Sequence, residues 1–326
     1  MTEPARRAPT EQTIQTGTGR EVERRLGLIP RLALVFTGTS GIWLLIVYLN
    51  TTVFAGDTTT GVRLLNAALT CLLAVTLIVA SRQQLDHRRL DGLGLALNRD
   101  AWTPFAAGLA AFTVPSFLGF TFATLTGQIQ LTLLASGADL AASMALLVVT
   151  VFFYEALPEE LIFRGYLYRN LATVVAPWLA ALVQAALFAL FGTSLWVLTH
   201  GWDVLTERGI LFLCVGLVLG VIRVVSGSVW TCIGFHLGFQ VTAQTLSEPN
   251  VITHGPIELF GIAPSFLLGT ALVAVTLRRS TNWTRSEPDL PVQKECTTAT
   301  AATRETGAAT TTSSAWSWGH ARDSRH

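Results

Sequence analysis

The amino-acid sequence predicts an all-α fold, a polytopic membrane helix bundle of about 8 transmembrane helices. Three observations predict it. First, 51% of the 326 residues are hydrophobic and only 13% are charged, against about 25% charged in soluble domains, and the mean hydropathy is +0.50. Second, apolar runs long enough to cross a bilayer, which takes about 20 residues each, recur along the chain. Third, the basic residues gather in alternate connections, as the positive-inside rule requires. The formal net charge of +1 offers nothing to a nucleic-acid backbone, so no nucleic-acid partner is expected.

Residues 1–30 form a polar N-terminal tail without the apolar h-region of a cleavable signal peptide. The tail ends on a basic flank, Arg20, Arg24, Arg25 and Arg31. N-terminal transmembrane helices follow over 31–130, with spans at 32–52, 62–81 and 102–126, the last interrupted by Pro115. Between the second and third lies a basic connection holding Arg82, Arg88, Arg89 and Arg99, whereas 51–61 and 127–138 carry neither Lys nor Arg. A core over 131–277 holds the other spans, which begin near 139, 174, 209, 229 and 258. The Thr/Ala/Ser-rich segment 278–326 cannot bury a core and reads as a disordered tail. The charge pattern places both termini in the cytoplasm and the bilayer around the spans; Arg63 is the one misfit. Of the four cysteines, Cys71, Cys214 and Cys232 lie in apolar runs and Cys296 in the tail, without CxxC spacing. They predict neither a disulfide framework nor a thiolate metal site.

One stretch conflicts with its apolar surroundings: Glu155-Ala-Leu-Pro-Glu-Glu-Leu-Ile-Phe-Arg-Gly-Tyr166. A charge at the bilayer centre costs roughly 2.5–3.5 kcal/mol, so four of them mark either a solvated cap at the membrane surface or a working site. On a helix, Glu160 and Arg164 are four apart with the acid first, the favourable order for an ion pair. Glu159 points elsewhere and shares a face with Glu155. Pro158 is expected to begin a fresh helical turn with both glutamates near its positive end. Of the six histidines, none stands in an HExxH pattern. His236 lies inside an apolar helix with Gln240 one turn on, either a functional group or a helix–helix hydrogen bond. His200 lies at a span end between Trp196 and Trp202, where an interfacial role competes with a catalytic one.

The run Glu159-Glu160-Leu-Ile-Phe-Arg164-Gly-Tyr-Leu resembles the EExxxR motif of the CPBP family, the CAAX-protease and bacteriocin-processing (Abi) intramembrane endopeptidases. The stretch from Leu217 through Arg223 and Gly227-Ser-Val-Trp to His236 resembles the segment before that family's last histidine. The resemblance covers about 140–245. It implies an endopeptidase that hydrolyses membrane-associated or prenylated peptide and protein substrates with a glutamate-activated water. Glu159 or Glu160 would be the base and Arg164 would orient the pair. His236 would assist, with Gln240 in the place of its usual Asn or Asp partner. A zinc ion on His236, His200 and Glu159 is the cofactor this reading admits, as a metalloprotease, beside a metal-free form. The implied location is the plasma membrane of a prokaryote.

Two departures qualify the resemblance. The family's Phe-x-x-x-His becomes Phe188-Ala-Leu-Phe-Gly192. His200 is eight residues later, roughly 12 Å along a straight helix, and could serve only if Gly192-Thr-Ser194 broke the helix. A chain turning at 172–177 regains the depth of Glu159 near 188–193, not at 200. Gln240 also reaches one methylene further than Asn. The alternative to an active protease is a catalytically impaired relative acting as a membrane scaffold or bacteriocin-immunity-type protein. A small-solute transporter is a third reading, but the chain lacks the paired repeats of such folds.

Overall fold

The computed structural model describes residues 26–95, 98–133, 136–247, 251–277 and 282–287. Most of the two expected tails, including Cys296, His320 and His326, lies outside the described residues.

Apolar length sets the architecture. Among the described residues, seven helices are long and apolar enough to cross a membrane: α1 (Leu28–Val53), α2 (Thr60–Leu85), α3 (Arg99–Leu125), α4 (Gly137–Ala172), α5 (Pro177–His200), α6 (Trp202–Ser226) and, last among them, Glu258–Thr276. Between α6 and that last helix runs α7 (Val229–Leu246); Glu258–Thr276 is therefore α8. At 18 residues, α7 carries His236, Gln240 and Gln244 along it. The protein is an integral membrane helix bundle. Among the described residues there is one small sheet, which no pattern in the amino-acid sequence announces. β1 (Gln130–Leu133) pairs antiparallel with β2 (Val251–His254), Gln130 opposite His254 and Leu133 opposite Val251. Four-residue strands are too short for periodicity to reveal. The pair ties the α3–α4 connection to the α7–α8 connection.

Two helix pairs hold the functional side chains at fixed spacing, and both are closed by glycine. Apolar burial does not drive helices together in lipid, so small residues that admit a neighbouring backbone do so instead. On α3 and α7, a Cβ on Gly108 would run into the Thr231 carbonyl, and one on Gly234 into the Phe105 carbonyl. On α5 and α6, a Cβ on Gly216 would meet the Ala185 backbone at 3.0 Å. Phe112, Phe163, Phe188, Phe191, Phe235 and Phe239 fill the core between these pairs.

The helix α4 does not restart at Pro158. Ala156 keeps helical angles, φ −62° and ψ −50°, and the chain stays helical on both sides. The missing N–H is absorbed by a wide turn over Phe152–Ala156, where the Leu157 N–H bonds to the Phe152 carbonyl five residues back. A second wide turn covers Leu161–Leu167. Such π turns make room for a proline ring and re-aim the side chains after it. The expected fresh N-terminus is therefore absent, and the glutamates face side-chain partners instead.

Arg82, read from sequence as part of a basic connection, is turned inward and 1% exposed. It joins a buried cluster centred on Asp86, which receives Arg31 Nη1 at 2.5 Å, Arg82 Nη1 at 3.1 Å, the Tyr166 hydroxyl at 3.1 Å and Asn170 Nδ2 at 3.2 Å. One carboxylate thus fastens α1, α2 and α4 together.

Candidate active site

The i,i+4 spacing of Glu160 and Arg164 produces the ion pair it predicts: Arg164 Nη1 donates to Glu160 Oε1 at 2.8 Å, with both side chains 0% exposed. The same oxygen lies 2.8 Å from His236 Nδ1, a contact across 76 positions of sequence that α7 delivers through its packing on α3 and α4. A carboxylate oxygen only accepts, so Nδ1 is the donating nitrogen in this contact, and Nε2 lies on the other side of the ring. There, Nε2 faces Glu159 Oε2 at 4.0 Å. The imidazole thus stands between two carboxylates, one in contact and one a water's width away. Glu160 and His236 are sealed, while the Glu159 side chain keeps 12% exposure.

The surroundings fix this group. The Arg164 guanidinium lies over the Phe188 ring, 4.4 Å from its centroid, a cation–π contact that helps compensate a buried charge. Its Nη2 reaches the Gly216 carbonyl at 3.5 Å, which also accepts from Gln184 Nε2 at 3.0 Å. The Phe188 ring stands edge-on to His236 with centroids 6.4 Å apart, so α5 regains the depth of the glutamates at Phe188, where the turn geometry places it. Arg223 Nε supports the Arg164 carbonyl at 3.0 Å.

Residues 141–242 match the family described as Rce1-like, Type II CAAX prenyl endopeptidase Rce1-like. Over these residues the chain is similar to the Rce1-like family. No curated protein matches the chain. The Rce1-like core runs from α4 into α7 and contains Glu159, Glu160, Arg164 and His236, whereas α1, α2, α3 and α8 lie outside the match. In kind, it is a CAAX-type intramembrane protease core, with the bilayer and a protein or peptide substrate as its general partners.

Two residues expected in the site are not brought to it as expected. Helix α5 runs unbroken through Gly192-Thr-Ser194 to its end, so His200 does not fold back. Twelve residues beyond Phe188, it lies roughly 18 Å further along the axis. Its exposed ring stacks on Trp196 at 4.5 Å and its Nδ1 meets Thr199 Oγ1 at 2.8 Å, while Arg208 covers Trp196 at 3.9 Å. Gln240 is on the right helix but engaged: its Nε2 donates to Glu155 Oε2, and Gln244 Nε2 donates to the same carboxylate at 3.0 and 3.2 Å. A Cβ on Gly192, the position the resemblance aligns with a histidine, would come within 2.8 Å of the Phe212 ring, so Phe212 fills the space beside Gly192.

The donor set does not fit zinc. A catalytic zinc takes three protein ligands, and of the proposed His236, His200 and Glu159 only two approach each other. Among the described residues no group of three or more His, Cys, Asp or Glu is arranged to hold a metal ion. The chemistry below uses the side chains alone.

Three contributors were missed from the sequence: Gln244, Gln184 and Phe212. The first two carried a readable signal, an amide inside an apolar helix. Phe212 carried none, since one phenylalanine among seventeen does not announce which cavity it fills.

Proposed function

We propose that the chain is an intramembrane endopeptidase that hydrolyses peptide bonds of membrane-associated or prenylated proteins. The observation that supports it is the placement of His236 between Glu160 and Glu159, at 2.8 and 4.0 Å. Two hydrogen bonds of about 2.8 Å each span such a gap at roughly a right angle, so one water fits between Glu159 Oε2 and His236 Nε2. Both groups accept from it, which leaves its oxygen lone pair free to attack. Glu159 takes a proton as the water oxygen bonds to the scissile carbonyl carbon. His236, anchored through Nδ1–H on Glu160, receives that proton from Glu159 on Nε2 and passes it to the leaving nitrogen as the oxyanion re-forms C=O and the C–N bond breaks. Arg164 fixes Glu160 and so the ring. Exclusion of bulk water strengthens each of these contacts.

A second reading is a catalytically impaired relative acting as a membrane scaffold or bacteriocin-immunity-type protein. Gly192 in the place of a histidine, and Gln240 engaged by Glu155, favour it. Cleavage of membrane-embedded and prenylated peptides by the full chain in nanodiscs separates the two. For the enzyme, Glu159→Gln and His236→Ala lower kcat/KM by about 10²–10⁴, the usual contribution of general acid–base catalysis, with folding retained. A folded wild type that cleaves nothing across a broad peptide set sinks the enzyme reading and leaves the scaffold.

A further inference from the structure

A second polar cavity, of about 560 Å³, lies outside the glutamate–histidine group, where the ends of α4 and α6 meet the segments around Gly92 and Arg285. Its walls carry Asp91, Tyr168, Arg169, Arg223, Arg285 and Glu287. Charge is unevenly matched there. Asp91 pairs with Arg89 at 3.2 Å, and Glu287 pairs with Arg169 at 3.4 Å. Arg223, only 6% exposed, has no carboxylate within ion-pair distance among the described residues. It donates to two carbonyls, Arg164 O and Leu93 O, both at 3.0 Å, and lies over the Tyr168 ring at 5.1 Å. A guanidinium has five N–H donors, so most of its capacity is unspent. Arg285 is exposed and makes no hydrogen bond or ion pair with another described residue.

A nearly buried guanidinium without a counter-ion is costly unless an anion completes it. We propose that this cavity binds a phosphate monoester group, held in the fork of Arg223 and closed by Arg285. Two features set the chemistry. A planar fork matches phosphate oxygens two at a time. Its lining residue Asn282 directly precedes Trp283, 39% exposed, and its lining residue Asp91 pairs with Arg89, one of the basic residues that follow α2, surroundings typical of the lipid headgroup level. A free phosphate compound and a phospholipid headgroup offer the same group. Because Arg223 also holds the Arg164 carbonyl, an occupant here shares a residue with the proposed active site, although the binding proposal does not depend on that site's activity.

The test uses the full chain. Its thermal midpoint is followed in detergent against inorganic phosphate at constant ionic strength, and in nanodiscs of phosphatidylcholine with and without phosphatidic acid. The expected result is a saturable rise in midpoint in at least one format. Arg285→Glu, a surface change that disturbs no bond between described residues, is expected to weaken the apparent affinity roughly tenfold. Saturation by free phosphate with no further rise from phosphatidic acid assigns a soluble ligand. A rise with phosphatidic acid that free phosphate does not reproduce assigns the lipid. No rise in either format, or an Arg285→Glu protein that binds as tightly as wild type, overturns the proposal.

Discussion

The Phe212 ring sits 2.8 Å from where a Cβ on Gly192 would be, and it packs edge-on against Phe188 with centroids 5.9 Å apart. The departure at Gly192 was legible in the sequence, because the spacing from Phe188 is fixed by the helix. Its compensation was not, because Phe212 is on another helix. The pair makes a prediction at the scale of single residues. Gly192→His alone overpacks the site and costs about 1–3 kcal/mol, read as a lower thermal midpoint in detergent. Combined with Phe212→Ala, the histidine gains the vacated space and much of that loss returns. A double variant no more stable than Gly192→His would show that something other than Phe212 opposes a side chain at 192. The same distinction runs through the rest of the site. Glu160 and Arg164 find each other by local spacing, which a sequence displays. Glu160 meets His236, and Glu155 meets Gln240 and Gln244, only through the approach of α4 and α7.

Among the elements, hydropathy located the long helices but not how they are fastened. Asp86 stands in the connection that the sequence shows as basic, between Arg82 and Arg88. It is 1% exposed and accepts from Arg31, Arg82, Tyr166 and Asn170. Charge density in a sequence cannot distinguish a solvated cluster from a sealed one, since both need acids and bases close together. Removing the acid leaves Arg82 buried beside a lost partner. Asp86→Ala is therefore expected to cost on the order of 3–5 kcal/mol, the range for breaking a buried pair by deleting one member, and to loosen α1 and α2 from α4. Thermal unfolding in detergent reads the loss, and limited proteolysis between α2 and α3 reads the loosening. A variant with the wild-type midpoint would mean that the cluster adds nothing to the stability of the bundle. The wide turns around Pro158 belong to this scale too. Proline showed that α4 would be disturbed there, but not that the disturbance would be absorbed without a break.

For the whole molecule, the question is why a core matched over 141–242 is embedded in further helices. The contact between α3 and α7 answers it for one of them. Gly108 meets the Thr231 carbonyl, and Gly234, two residues before His236, meets the Phe105 carbonyl. Neither position tolerates a Cβ without moving backbone against backbone. Helix α3 is thus the rail that sets the depth and rotation of α7, and with it the side of His236 that faces Glu160. Gly234→Val places three carbons where the Phe105 carbonyl stands, and it must push α7 away from α3. Moving His236 by even 1 Å breaks a 2.8 Å contact, and misplacement on that scale costs about a hundredfold in a positioned reaction. The variant is expected to lose cleavage while Gly41→Val, on α1 with nothing near its Cβ, keeps it. Both proteins are compared for cleavage in nanodiscs and for monodispersity on gel filtration. If Gly234→Val is folded and cleaves as wild type does, α3 does not position the histidine. If it fails to fold, the milder Gly238→Ala carries the test. A Cβ there approaches Thr113 and Phe112 side chains at 3.2 and 3.3 Å rather than backbone, so it shifts α7 less and should lower cleavage less.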